Sequence, residues 1–135
     1  MRTDELVDQI MQLNLPTAVG VGGYDDKDID CVLSKLKGYK NPLLLMYGYQ
    51  GFPTPEKETS LFRIKDLQTK YGYPIGFADH VNAESDMALR LPEFAFFAGA
   101  TVIEKHITLN RAARGLDHYS ALEPQEFKKM VRNLE

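Results

Sequence analysis

The segment G-A-T-V-I-E-K-H at residues 99–106 decides the fold, and a shorter segment of the same kind, G-F-A-D-H, lies upstream at residues 76–80. Each is a brief apolar or β-branched run that ends in a histidine, which is typical of a strand in a parallel α/β sheet. The carboxyl ends of parallel strands meet at one edge, where functional side chains usually gather. We therefore expect His80 and His106 to lie close together on one rim.

The spacing of apolar residues along the rest of the chain predicts helices that alternate with short strands. Helices are predicted at 4–13, 26–37, 61–71, 87–97 and 124–134, and strands at 17–21, 42–47, 74–77 and 101–105. Pro92 is expected to kink or restart the fourth helix, and the apolar run at 42–47 predicts a strand buried on both faces. The order is one helix followed by four β/α units in a single domain, residues 1–135. On periodicity alone, part of a β/α barrel and a small open sheet of flavodoxin type are equal alternatives.

Composition argues against several classes of partner. The chain has 135 residues, is 44% hydrophobic and 26% charged, and carries a formal net charge of −3 with its basic residues scattered singly. This predicts a globular domain without the electrostatic footprint of a nucleic-acid or anionic-membrane partner. The longest apolar run falls far short of the roughly 20 residues of a spanning helix, so a cytoplasmic protein is expected. The single cysteine, Cys31, is expected to be a small buried residue.

His80 and His106 are the candidate metal ligands. Imidazole is the commonest metal ligand among side chains, and two imidazoles from adjacent strand ends leave coordination positions open for a substrate oxygen. The alternative is that each is only a hydrogen-bonded histidine at a strand end. The matching positions of the two histidines favour a functional pair.

Four further residues are candidate substrate contacts. By strand alternation Glu104 points the same way as His106, where it either orients a ligand or forms a buried ion pair with a neighbouring strand. Asp117 lies in a polar loop that suits a polyhydroxylated ligand, and the alternative is a solvated loop with a local Arg–Asp pair. Gln50 and Phe52 follow the second strand, where they either line a pocket or pack the loop.

Four segments carry a resemblance to a known enzyme family. They are F-P-T-P at 52–55, P-I-G-F-A-D-H at 74–80, G-A-T-V-I-E-K-H-I-T-L at 99–109 and G-L-D-H-Y-S-A-L-E-P-Q-E-F at 115–127. In this order and spacing they resemble the sialic acid synthase (N-acetylneuraminate synthase) family, whose catalytic domain is a (β/α)8 barrel. The resemblance implies an α/β fold that is the C-terminal half of such a TIM barrel, strands five to eight, preceded by a helix.

The resemblance also implies a reaction. Members of the family condense phosphoenolpyruvate with the open-chain aldehyde of an N-acetylhexosamine, usually N-acetylmannosamine, to give a 2-keto-3-deoxy sugar acid and phosphate. By this resemblance, His80 and His106 hold a catalytic divalent cation, Mn²⁺ or Mg²⁺, which polarises the aldehyde oxygen. The family's sugar-contacting aspartate corresponds to Asp117.

The chain departs from the family pattern at positions that touch substrate in the family. Ala78 stands where the family usually has serine, and Gly20 with Val21 replaces a serine-threonine pair. Gln50 and Phe52 stand where the family commonly has asparagine and tyrosine. These departures leave the identity of the sugar open.

The resemblance covers half of the family's barrel, and the family's first four strands carry its phosphate-binding lysines. The chain is therefore expected to be a fragment or to form a homo-oligomer in which two half-barrels close edge to edge, because the edge strands of a half-barrel are unpaired. Its other expected partners are the small-molecule substrates. The alternative function is a non-catalytic half-barrel that binds a sugar or phosphate or serves as an assembly module.

Overall fold

The computed structural model describes residues 3–135, which form a parallel β-sheet and α-helices in alternation. The strands are β1 (Thr17–Gly20), β2 (Leu43–Tyr47), β3 (Ile75–Asp79) and β4 (Ala100–Lys105). The helices are α1 (Thr3–Leu13), α2 (Asp26–Lys35), α3 (Phe62–Tyr71), α4 (Leu91–Phe97) and α5 (Pro124–Leu134). The sheet order is β1-β2-β3-β4 and every neighbouring pair is parallel. The predicted α/β class and the four predicted strands are therefore confirmed.

The ends of the helices follow from local sequence. The carboxylate of Asp25 accepts a hydrogen bond from the backbone N–H of Asp28 at 2.9 Å and caps α2. Gly72 ends α3 in a left-handed conformation with φ 71°, which glycine adopts without steric cost. Pro92 lies in the first turn of α4, after a separate 3₁₀ turn at Asp86–Leu89, so the restart predicted at this proline is confirmed.

One face of the sheet is covered by the helices and forms the core. Leu45 and Ile75 are fully buried there and belong to the same apolar cluster as Ile64 and Leu67 of α3 and Ala95 of α4. Burial of this kind contributes about 1.5–3 kcal/mol for each large aliphatic side chain.

The other face of the sheet, here called the open face, is less buried. Leu44 and Met46 are half-buried and Val102 is 43% exposed. The residues of β2 therefore alternate between the two faces, and the prediction that β2 is buried on both faces is wrong. An uninterrupted apolar run does not distinguish a covered face from an uncovered one.

The pairing of β3 with β4 contains one extra residue. Ile75 pairs with Ala100 but Gly76 pairs with Val102, so Thr101 is left over at a bulge. Beyond it the register continues to the end of both strands, where Asp79 pairs with Lys105. As a result the next residues, His80 and His106, leave the sheet level with each other.

Cys31 lies on the exposed side of α2, so the prediction of a buried cysteine is wrong. The same helix turns Ile29 into the core, and Leu36 is buried at its C-terminal cap. None of the helices within residues 3–135 could span a bilayer, since the longest have 11 residues and roughly 20 are needed.

Candidate metal and substrate site

Two imidazole rings meet at the carboxyl end of the sheet. His80 directly follows β3 and His106 directly follows β4. Their ring centroids lie 5.0 Å apart with the ring planes inclined at 40°, and both residues are half-buried. The structure therefore places the two histidines close together on one rim, as expected.

Phe52 lies against both rings. Its ring centroid is 6.3 Å from that of His80 and 6.2 Å from that of His106, in edge-on arrangements. Edge-to-face contacts of this kind are favourable for aromatic rings. The loop after β2 therefore places one aromatic side chain against the paired imidazoles, and this side chain is 44% exposed.

The backbone around the two histidines is held by neighbouring loops. The carbonyl oxygen of His80 accepts hydrogen bonds from the backbone N–H of Thr54 at 2.8 Å and from Oγ of Ser120 at 2.6 Å. The carbonyl oxygen of His106 accepts from the backbone N–H of Leu122 at 2.8 Å. Sequence reasoning missed Thr54 and Ser120, because such long-range backbone contacts leave no local signal in a sequence.

The donor set of this pair fits a divalent cation with open coordination positions. Imidazole nitrogens suit first-row transition ions, and neighbouring rings can share one ion. Within residues 3–135 no group of three or more histidines, cysteines and carboxylates could hold a metal. Among these described residues the two imidazoles therefore stand without a third ligand of these types.

A buried ion pair lies immediately before the two histidines. Nζ of Lys105 donates to Oδ2 of Asp79 at 2.8 Å, and both side chains are fully buried. Oδ1 of Asp79 accepts a hydrogen bond from the backbone N–H of Val81 at 3.0 Å. Burial lowers the pKa of the Lys105 ammonium group below its ordinary value of 10.5, and the Asp79 carboxylate opposes that shift. The signal missed in the sequence is that opposite charges precede both histidines on adjacent strands.

Glu104 lies on the open face, directly opposite Ala78 in the register, and is exposed. Lys105 points the other way, as strand alternation predicts. The buried ion pair considered for Glu104 is formed instead by Lys105 on the covered face. Glu104 is thus available to a ligand that approaches the open face.

Asp117 is exposed at the tip of the loop that follows β4, with φ 62°. The next residue, His118, orders this loop: its Nδ1 accepts from the backbone N–H of Gly115 at 2.8 Å, and its Nε2 lies 3.3 Å from Oγ1 of Thr108. Arg111, an arginine of the same loop, pairs with Glu126 of α5. The guanidinium of Arg111 is therefore paired with Glu126 and not with the carboxylate of Asp117.

Gln50 packs over the turn that follows β1. A Cβ added to Gly22 would lie 2.6 Å from Nε2 of Gln50, and one added to Gly23 would lie 2.8 Å from its Cγ. The structure therefore brings Phe52 to the histidines and places Gln50 against the neighbouring turn.

Together these features define a parallel α/β protein whose strand ends present a pair of imidazoles, with an exposed aspartate in the loop that follows β4. A family model described as the NeuB family matches residues 1–135, and the chain belongs to this family. The predicted resemblance to sialic acid synthases is therefore confirmed.

Named relatives agree with this assignment. The chain is 26% identical over 125 residues to the N,N'-diacetyllegionaminic acid synthase of Legionella pneumophila, covering 89% of this chain and 34% of the relative. It is 28% identical over 128 residues to the N-acetylneuraminate-9-phosphate synthase of Drosophila melanogaster, covering 93% of this chain and 33% of the relative.

A solved structure shares the fold. The crystal structure of the N-acetylneuraminic acid (sialic acid) synthetase from Leptospira borgpetersenii, in complex with citrate, aligns with a TM-score of 0.86 at 30% identity. The alignment covers 96% of this chain and 44% of that one. The chain thus spans about a third of the length of the two named relatives and under half of the solved chain.

Proposed function

We propose that the chain forms the metal-holding and sugar-contacting part of a sialic acid synthase-type active site. The reaction is the condensation of phosphoenolpyruvate with an N-acetylhexosamine of the N-acetylmannosamine type, which gives a 2-keto-3-deoxy sugar acid and phosphate. The observation that carries the proposal is the 5.0 Å separation of the His80 and His106 rings at the strand ends. Membership of the NeuB family and relatives named as synthases support the reaction class.

In this proposal, His80 and His106 hold Mn²⁺ or Mg²⁺ through their ring nitrogens. The bound cation supplies Lewis-acid polarisation of the sugar aldehyde. Phe52 shields one side of the paired rings from water, because its ring packs against both. The carboxylates of Asp117 and Glu104 accept hydrogen bonds from sugar hydroxyls. Both are exposed and belong to different elements, Glu104 to β4 and Asp117 to the loop after it, and in this proposal they orient one ligand together.

We propose further that β1–β4 are strands five to eight of a TIM barrel, in a single domain. In support, the four strands follow one another in sheet order, as barrel strands do. The helices cover one face and leave open the face that would line a barrel interior. Gln50, packed over the turn after β1, would then line the neighbouring part of the barrel mouth. The cytoplasmic location expected from the sequence stays a prediction.

Titration calorimetry with MnCl₂ tests the metal site. The wild-type chain is expected to bind one Mn²⁺, and His80→Gln or His106→Gln to weaken binding by about 100-fold. The control is His118→Gln, which removes the third histidine of the chain, whose ring contacts Gly115 and Thr108 rather than the pair. Binding that is absent in the wild type, or that survives both substitutions, contradicts the metal site.

Release of phosphate from phosphoenolpyruvate, measured with N-acetylmannosamine and Mn²⁺, tests the reaction. Release in the wild type that is lost in His106→Ala supports the synthase function. Mn²⁺ binding without phosphate release under any divalent metal favours the second candidate, a non-catalytic assembly module. The observation that favours an assembly module is the uncovered apolar surface of the open face, where Val102 is 43% exposed.

A further inference from the structure

We infer that Asp79 and Lys105 are positioning residues: their buried ion pair selects the one β3–β4 register in which His80 and His106 stand level. The inference concerns the geometry of the two imidazoles. It rests on the proposed metal site only for its link to function.

Because of the bulge, β3 and β4 have two conceivable registers, one with the extra residue and one without it. Ile75 pairs with Ala100, and if that register continued without the extra residue Thr101, His80 would lie opposite Lys105. The two imidazoles would then leave the sheet one residue out of step. A slip of one residue also turns every side chain of a strand to the other face. The observed register therefore needs a feature beyond the bulge that holds it at the rim.

Charge supplies that feature. In the observed register Asp79 lies beside Lys105, and their side chains meet at 2.8 Å without exposure to solvent. In the continued register Asp79 would lie beside Glu104 instead. That arrangement would bring two carboxylates together in a position shielded from water, where like charges repel strongly. The order Glu104-Lys105 thus favours one register and opposes the other.

Stability alone is a poor explanation for such a pair. The desolvation of two buried charges offsets most of their attraction, and apolar residues of similar volume often serve a core equally well. Buried polar pairs are better attested as devices that fix a register. Asp79 also accepts a hydrogen bond from the backbone N–H of Val81, the residue after His80. The ion pair is therefore joined to the backbone on both sides of this histidine.

The first test is a nuclear Overhauser effect between the ring protons of His80 and His106 in the metal-free protein. The wild type is expected to show it, because the ring centroids lie 5.0 Å apart. The test variant is the double substitution Asp79→Asn with Lys105→Met, which removes both charges and keeps similar shapes. We expect the variant to fold, by circular dichroism, and to lose the inter-ring signal.

Asp79→Asn with Lys105→Gln is the second variant, for the case in which the first double variant does not fold, because it leaves no unpaired buried charge and the amide oxygen at position 79 can still accept from Val81. The control is Asp26→Asn, which removes an acidic partner of Arg63 between α2 and α3 and leaves the Asp79–Lys105 pair intact. It is expected to keep the inter-ring signal. A folded Asp79 variant that keeps this signal at wild-type intensity overturns the inference.

Titration with Mn²⁺ alone gives the functional readout. The affinity of the folded double variant is expected to fall about tenfold or more, in the range seen when groups that orient metal ligands are removed. Unchanged affinity in a variant whose rings have separated overturns the link between register and metal binding. A wild type that shows the inter-ring signal but binds no Mn²⁺ contradicts the proposed metal site, while the inter-ring signal still decides the register.

Discussion

The carbonyl oxygen of Ala78 lies so close to Gly48 that a Cβ added there would approach it to 2.5 Å. The backbone leaving β2 is thus packed directly on the backbone of β3, two residues before His80. An alanine at this position must push one backbone away from the other. We therefore expect Gly48→Ala to reduce the free energy of unfolding by about 3 kcal/mol, at the upper end of overpacking costs.

Gly20 provides the matched control for this substitution. A Cβ at Gly20 would meet nothing within 4 Å, so Gly20→Ala is expected to leave stability unchanged or raise it by about 0.5 kcal/mol. Urea unfolding followed by circular dichroism measures both variants. Equal effects of the two substitutions would contradict the close approach at Gly48.

Two substitutions at Asp117 distinguish its effect on backbone conformation from its contact with a ligand. Its φ of 62° is tolerated by asparagine, whereas alanine there costs about 1 kcal/mol. Asp117→Asn should therefore leave the free energy of unfolding unchanged, and Asp117→Ala should lower it. If the carboxylate contacts the sugar, both variants raise the KM for N-acetylmannosamine by about tenfold, the loss of one charged hydrogen bond. A KM that is unchanged in Asp117→Asn contradicts the sugar contact.

The ion pair of Arg111 with Glu126 predicts a pH-dependent contribution to stability. Hydrogen bonds from the Arg111 guanidinium hold the pKa of Glu126 below its ordinary value of 4.5. A carboxyl whose pKa is lower in the folded state stabilises that state above its unfolded pKa and loses the effect as pH falls through the folded pKa.

Glu126→Gln should therefore lower the free energy of unfolding by up to about 1 kcal/mol at pH 7, since the pair is partly exposed. The difference from wild type should hold above about pH 4.5 and shrink below it. Denaturant titrations at a series of pH values measure this. Glu58→Gln, at an exposed position, is the control. A difference that grows as the pH falls below 4.5 would have the wrong sign.

The open face predicts self-association of the 135-residue chain. β1 and β4 are the edges of the sheet, and Val102 exposes apolar surface beside them. Light scattering after gel filtration should find a dimer at micromolar concentration. Val102→Lys should shift it to monomer, and Leu116→Lys, at a position 95% exposed in a loop, should not. A wild-type monomer would rule out closure of two copies.

Much of the fold follows from residues that are neighbours in the chain. The restart at Pro92 acts within one turn of a helix, and the sequence predicts it correctly; the cap at Asp25 and the stop at Gly72 are equally local. The burial of β2 and the exposure of Cys31 were predicted wrongly, because each depends on whether another element covers that face.

The same division applies to the candidate site. The placement of His80 and His106 at neighbouring strand ends follows from the strand pattern, and their proximity follows from parallel pairing. The contacts of Phe52 with both rings do not, because they depend on the path of a loop. The bulge at Thr101 is also absent from the hydrophobic pattern, since one surplus residue hardly changes it.

The carbonyl oxygen of His80 joins three stretches of chain, because Thr54 comes from the loop after β2 and Ser120 from the loop after β4. Insertions near Thr54 or Ser120 would therefore displace the backbone of His80. Variation that retunes what the rim accepts can instead accumulate at the loop tips, around Tyr49 and around Leu116. A protein built in this way can change what its rim contacts over evolutionary time while the arrangement of its paired histidines stays fixed.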